Sequence, residues 1–311
     1  MRYLLALTLI AACSGSEPEA PPITETSAIQ PAVEEVAPAP EPGPGPRPES
    51  WVTSRVEEAQ ERMGASEAGR LVWQAIEAHG GLQSWLAKST ITFEFDYQPK
   101  TQPERRMHSL NRVDFWSARA HQQELDGGAG EEAVLGWDGT NAWIHPSPEA
   151  FPTTARFWAL TPYYFVGMPF VAADPGTRYE RLEDAELDGA VHQLVRLTYG
   201  DGVGDAPDDY YILYLHAETH RLSGLRYVVS YRGFFPEGGH SPEKLMRYSD
   251  YEDVDGLQFA QRLDTATWDS EAATPGDVVT EIAVDVRSVG DAFEPSLFDP
   301  IEGASVSTTI E

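Results

Sequence analysis

At Ser89 the hydrophobic period of this chain changes from helical to two-residue, and the two-residue period recurs as far as Val286. Ile91, Phe93, Phe95 and Tyr97 alternate with Thr92, Glu94 and Asp96, so one face of a strand is dry and the other wet. The same parity groups Val191, Gln193, Val195, Leu197 and Tyr199; then Leu225, Tyr227, Val229 and Tyr231; then Leu257, Phe259, Gln261 and Leu263; and last Ile282, Val284 and Val286. Turn dipeptides separate the runs: Asp138-Gly139, Asp188-Gly189, Asp255-Gly256 and Pro275-Gly276. Strands that follow one another through short turns predict an antiparallel meander, and no βαβ rhythm interrupts them.

Upstream the period is helical. Ala68, Leu71, Val72, Ala75, Ile76 and His79 form one apolar stripe, which predicts a helix over 66–79 that Gly80-Gly81 ends. Before it, Ser54 and Glu57 have capping-box spacing, and Gly64 can stop a short helix. Leu82 to Ala87 reads as a final turn. One stretch fits neither period. Residues 150–176 carry Phe151, Phe157, Trp158, Tyr163, Tyr164, Phe165 and Phe170, punctuated by Pro152, Pro162, Pro169 and Pro175. The stretch is too apolar for a solvated loop and too proline-rich for one helix. Helical turns lying on the open apolar face of the sheet, as a lid or plug, are the expectation.

The chain has one cysteine, Cys13, which excludes internal disulfides and thiolate metal sites. Arg2 precedes a short apolar run, Tyr3 to Ile10, far below the roughly 20 residues that span a bilayer. A basic start, an apolar core and small residues read as a signal segment. Ile10-Ala11-Ala12-Cys13 resembles the bacterial lipobox, which implies cleavage at residue 12 and acylation of Cys13. Ser14 at the second mature position resembles an outer-membrane address. From 13 to 50 Pro, Glu, Ala and Ser dominate and aromatics are absent, so there is nothing to bury and a disordered tether is expected. At about 3 Å per residue its upper reach is on the order of 100 Å. Acidic residues outnumber basic ones 50 to 22, a balance that repels nucleic acid and anionic headgroups. Membrane contact therefore falls to the lipid anchor.

Motifs that carry chemistry are sparse. His216 and His220 flank Glu218, but the strand-like run before them puts the pair at a hairpin turn rather than on the helix that metalloprotease chemistry needs. Asp250 to Gly256 has the look of a calcium loop, yet aligning on Gly256 puts Tyr251 and Arg262 at the first and last ligand positions. The Gly200–Asp209 loop concentrates carboxylates and could take calcium only adventitiously. No nucleophile elbow or phosphate-cradling loop occurs. No cofactor, metal site or catalytic residue is expected. The aromatic excess remains. Leu135 to Trp143 places Trp137 and Trp143 on two strands around a tight turn, and large rings on a curved apolar face suit a cavity for an apolar ligand.

Ala78-His79-Gly80-Gly81 with Trp85, a first long strand, Gly136-Trp137-Asp138-Gly139 with Trp143, and Tyr214-Leu215 leading to Thr219-His220-Arg221-Leu222 occur in that order. Together they resemble the LolA/LolB-type lipoproteins over about residues 65–300. The resemblance implies an α+β, mostly β fold: an unclosed half-barrel of about eleven antiparallel strands with helices plugging its concave side. It also implies an apolar concavity for acyl chains. The expected organisation is a signal peptide (1–12), lipidated Cys13 with its tether (13–50), a helical lead-in (51–64), the half-barrel (65–303) and a disordered tail (304–311). Cys13 is the expected lipid attachment site. Trp137, Trp143, Phe157, Trp158, Phe165 and Phe170 are the expected ligand-binding residues. The expected function is an envelope lipoprotein, non-enzymatic, that binds lipid or another apolar ligand and serves lipid or lipoprotein trafficking. The competing expectation is a filled barrel with a structural role towards other envelope proteins.

Overall fold

The computed structural model describes residues 43–126, 133–200, 206 and 208–307. Cys13, Ser14 and the tether through residue 42 lie outside the described residues, as do most of the Gly200–Asp209 loop and residues 308–311.

Three helices open the described chain: α1 (Glu49–Gly64), α2 (Glu67–Ala78) and α3 (Leu82–Lys88). α2 forms as its stripe predicts. The Ser66 hydroxyl accepts from the Gly69 N–H at 3.0 Å, and Ala68, Leu71, Val72, Ala75 and Ile76 are all buried. α1 starts earlier than the Ser54 capping box would place it. The Pro48 carbonyl takes the N–H groups of Trp51 and Val52, so Ser54 lies inside the helix, its hydroxyl 3.4 Å from Glu58. Gly80 ends the helical run in a left-handed conformation, φ +113°, and a Cβ there would sit 2.3 Å from the Gly256 carbonyl oxygen.

One antiparallel sheet of fourteen strands follows. In chain order they are β1 (Thr90–Pro99), β2 (Met107–Asp114), β3 (Arg119–Glu124), β4 (Val134–Trp137), β5 (Ala142–His145), β6 (Thr177–Arg181), β7 (Ala185–Leu187), β8 (Ala190–Tyr199), β9 (Tyr211–His216), β10 (Leu222–Tyr227), β11 (Lys244–Val254), β12 (Leu257–Asp269), β13 (Thr274–Val289) and β14 (Ser305–Ser307). The spatial order is β14-β5-β4-β3-β2-β1-β13-β12-β11-β10-β9-β8-β6, with β7 also on β8. The ends of this path do not pair, so the sheet is an unclosed half-barrel. There are more strands than about eleven in part because β7 and β14 span only three residues each, too few to display an alternation. β14 falls inside the expected tail and pairs with β5.

The main core lies between the concave face and the helices. Ile91, Phe93 and Phe95 of β1 are fully buried there, and Trp85 of α3 stacks between Phe115 at 4.2 Å and Phe170 at 4.8 Å. The outer face is not uniformly wet. Leu187, Leu194, Ile212, Tyr214 and Leu245 form a second small core on it, so β8 and β9 are buried on both sides and Val191 is exposed instead. The Pro275-Gly276 turn is displaced. The Asp269 carboxylate accepts from the N–H groups of Glu271 and Ala272, which closes the hairpin earlier and leaves Pro275 within β13, opposite Trp268.

Residues 148–173 fold as broken helical turns over the concave face. They comprise a 3₁₀ turn (Pro148–Ala150), α4 (Ala155–Trp158), α5 (Thr161–Val166) and a second 3₁₀ turn (Phe170–Ala173). The Gln122 amide of β3 donates to the Trp158 and Ala159 carbonyls at 2.9 and 3.0 Å, and the Tyr248 hydroxyl of β11 donates to the Phe165 carbonyl at 3.0 Å. These bonds tie a segment without regular repeats to the sheet.

Candidate functional site: an aromatic cavity under the helical segment

Between the broken helical turns and the sheet lies a cavity of about 690 Å³. Its roof is Phe157, Trp158, Leu160 and Phe165. One wall is Phe95, Tyr97 and Met107 from β1 and β2; the opposite wall is Tyr199, Tyr211 and Tyr227 from β8, β9 and β10. Met246 of β11 and Ile282 of β13 close the floor between them. The volume is that of an ordinary small-molecule site, and the apolar wall with few polar groups has the same character. At the rim Gln102, Arg105 and Phe234 are exposed, and Phe234 packs edge-on against Phe157 at 4.8 Å.

The tyrosines give this wall a polar tip on an apolar body. Burial pushes the pKa of Tyr164, Tyr199, Tyr211 and Tyr227 above the ordinary phenol value, so their hydroxyls stay neutral. The Tyr164 and Tyr199 hydroxyls bond to each other. Trp158 is 6% exposed, and its indole N–H has no hydrogen-bond partner among the described residues. Two carboxylates reach the wall. Asp209 is committed to the Ser230 N–H and hydroxyl, at 2.5 and 2.7 Å, and burial raises its pKa. Asp174 is more than half exposed and faces Arg55 at 3.8 Å. Among the described residues no group of three His, Cys, Asp or Glu side chains is placed to hold a metal ion.

Of the expected ligand-binding residues, Phe157, Trp158 and Phe165 come together at the cavity. Trp137, Trp143 and Phe170 do not. Trp143 and Ile144 point to opposite faces of β5; Ile144 enters the main core, whereas Trp143 packs on the other face and donates its N–H to the Phe298 carbonyl at 2.9 Å. Gly136 makes room for it, since a Cβ there would lie 2.4 Å from the Trp143 ring. Phe170 is buried beneath the cavity against Trp85. Trp137 is covered by the Arg156 guanidinium, 3.7 Å from the ring centroid, and it is Arg156 that reaches the wall. Tyr199, Tyr211, Tyr227 and Met246 line the cavity without having been expected there. Their signal in the sequence is parity: each shares a strand face with core residues.

His216 and His220 sit at the β9–β10 hairpin, as their context predicts, with His220 at φ +57°. No helix among the described residues is long and apolar enough to cross a membrane.

The fold class is therefore an unclosed antiparallel half-barrel whose concave face is covered by helices. No known family profile matches the chain, and no curated protein matches it. Among solved structures it is similar to a LolA superfamily protein from Nitrosomonas europaea, at 10% identity over 74% of this chain and 96% of that one, with a TM-score of 0.47. It is also similar to a DUF1329 family protein from Desulfovibrio piger, at 8% identity over 75% and 97%, with a TM-score of 0.48. The Mycobacterium tuberculosis lipoprotein LppX is a more distant likeness, at 9% identity over 74% and 99%, with a TM-score of 0.29. The functional reading rests on the cavity and not on these likenesses.

Proposed function

We propose that this protein is an envelope lipoprotein, anchored through Cys13, whose half-barrel reversibly binds an acyl chain or another long apolar ligand beneath residues 148–173. The observation that carries the reading is the cavity of about 690 Å³ walled by aromatic rings and methionines. A fully packed core would leave no such space. Burying sixteen methylenes at about 0.8 kcal/mol each gives on the order of 12 kcal/mol gross. Association and ordering costs remove several kcal/mol of this, which leaves a dissociation constant on the order of micromolar. That strength suits capture and release. The reading requires no catalytic residue.

An apolar fluorescent probe titrated into the domain lacking its anchor should bind with saturation and be displaced by a medium-chain fatty acid. Phe157→Ala with Trp158→Ala should weaken binding at least about tenfold, while Glu183→Ala, away from the cavity, should leave it unchanged. Absence of saturable binding by the folded domain would return the barrel to a structural role.

A further inference from the structure

The cavity wall contains one lysine. Lys244 is the first residue of β11, and it shares its strand face with Met246 and Tyr248, both buried towards the helical segment. Across the ladder its Cα partners are Tyr227 on β10 and Thr267 on β12. Lys244, Tyr227 and Met246 all line the cavity, as do Thr265 and Thr280, which pair directly across β12 and β13.

Among the described residues no hydrogen bond or ion pair reaches the Lys244 ammonium. Fifty acidic side chains stand against 22 basic ones in the chain, and none of those described pairs with it. Neighbouring cations on the outer face are paired: Arg226 with Glu243 at 3.4 Å, and Arg247 with Asp188 at 2.8 Å. The two carboxylates on the cavity wall are engaged elsewhere, Asp209 with Ser230 and Asp174 with Arg55. Lys244 is half-buried, and burial draws its pKa below the ordinary lysine value, with no charge offsetting the shift. A cation held against an apolar void without a counter-charge is costly unless something arrives to pair with it. Trp158, whose indole N–H has no partner among the described residues, lines the same cavity.

We propose that the ligand is an amphiphile with a singly charged anionic head, of the fatty-acid type, and that Lys244 holds that head while the aromatic walls take the chain. This rests on the binding function proposed above. Arg105 and Arg156 also line the cavity, but Arg105 donates to the Pro152 carbonyl and Arg156 stacks on Trp137, so Lys244 is the cation left for the head, and a singly charged head matches it. The net charge of −28 does not oppose the assignment at close range. At physiological ionic strength the distant carboxylates are screened beyond about 8 Å, so the local cation decides.

The test compares three ligands of identical chain, dodecanoate, dodecanol and dodecyl phosphate, each below its aggregation concentration, on the wild-type domain, K244M and K244R. The wild type should prefer dodecanoate to dodecanol. K244M should lose about tenfold or more in affinity for dodecanoate and little for dodecanol, and K244R should retain most of the preference. Dodecanol binding by K244M reports that the variant is folded and its cavity intact. If K244M alters dodecanoate and dodecanol affinity alike, or neither, the head-group assignment falls while the binding function stands. A stronger hold on dodecyl phosphate than on dodecanoate overturns the single-charge assignment. Failure of the wild type to bind any of the three overturns the function itself, and this inference with it. If K244M binds no dodecanol, K244Q and thermal unfolding separate misfolding from loss of the site; a folded K244Q with unchanged dodecanoate preference refutes the role of Lys244.

Discussion

Replacing Asp114 by Ala should destabilise the half-barrel more than any other single loss of charge. The carboxylate is fully buried at the end of β2 and is held from several sides. Arg47 approaches its two oxygens at 3.1 and 3.2 Å, and Arg119 approaches at 3.2 Å. The Ser117 hydroxyl donates at 2.5 Å and the Trp116 N–H at 3.2 Å. The Arg47 side chain is itself only 4% exposed. Removing the carboxylate leaves a buried guanidinium without its counter-ion, and breaking a buried pair in this way costs about 3–5 kcal/mol. For a domain of this size each kcal/mol moves the midpoint by about 2–4 °C, so Asp114→Ala should lower Tm by about 10 °C. Arg47→Ala should cost less, about 1.5–3 kcal/mol, because Asp114 keeps Arg119, Ser117 and the Trp116 N–H. Once Asp114 is gone, Arg47→Ala should cost almost nothing further. Thermal unfolding followed by circular dichroism on the four proteins of this cycle gives the coupling. A shift of less than about 2 °C for Asp114→Ala, or additive single effects, would refute the reasoning and with it the idea that Arg47, near the end of the expected 13–50 tether, is locked to the β2–β3 turn.

Gly136→Val should destabilise by at least about 1–3 kcal/mol, since its Cβ would enter the Trp143 ring. Apolar-probe affinity of the surviving folded protein should be unchanged, because Trp143 lies on the other face; a large affinity change would contradict that placement. Burial holds His79 and His121 to about 4, against an ordinary value near 6.5. Between those values the unfolded chain binds the protons and the folded one does not, so stability should fall as pH drops from about 6.5 to 4, by on the order of 3 kcal/mol for each ring. Urea midpoints across that range should flatten in His79→Gln; an unaltered slope would rule His79 out as a source. Cys13→Ala should abolish metabolic labelling by palmitate, and persistent labelling would remove the proposed anchor.

Long elements were legible in the sequence and short ones were not. α2 announced itself through Ser66 and a full apolar stripe, and β1 through a strict alternation along most of its length. β7 and β14 are held by neighbours rather than by pattern, and no local signal fixes them. The second core on the outer face was hidden for a related reason. Leu194 and Ile212 sit at positions that parity assigns to solvent, and only the fold brings Leu187 and Leu245 to cover them. The candidate site was half legible. Composition located Phe157, Trp158 and Phe165, but a tryptophan on a four-residue strand such as Trp143 does not declare its face. Lys244 carried a clear signal, a charge at the same parity as Met246 and Tyr248, and it stood out only once that face was known to be the inner one.

The tyrosine content of the wall has a physical consequence for binding. At about 30 Å³ per molecule, 690 Å³ corresponds to on the order of twenty waters, or to one extended chain. A wall of leucine and phenylalanine alone would stay dry when unliganded, and emptying it would forfeit the whole dispersion attraction between wall and chain with nothing to replace it. Tyr97, Tyr199, Tyr211 and Tyr227 bring phenol hydroxyls as well as rings to the wall, that of Tyr199 bonded to Tyr164, and burial keeps the last three hydroxyls neutral. Such a wall lowers the difference between the filled and hydrated states. It trades affinity for reversibility, which is the property a carrier needs and a permanently filled structural barrel does not. Phenylalanine at Tyr199 and Tyr211 together should therefore slow probe dissociation rather than weaken binding. Stopped-flow displacement reads this directly, and a faster off-rate in the double variant would show that the hydroxyls serve to hold the ligand rather than to release it.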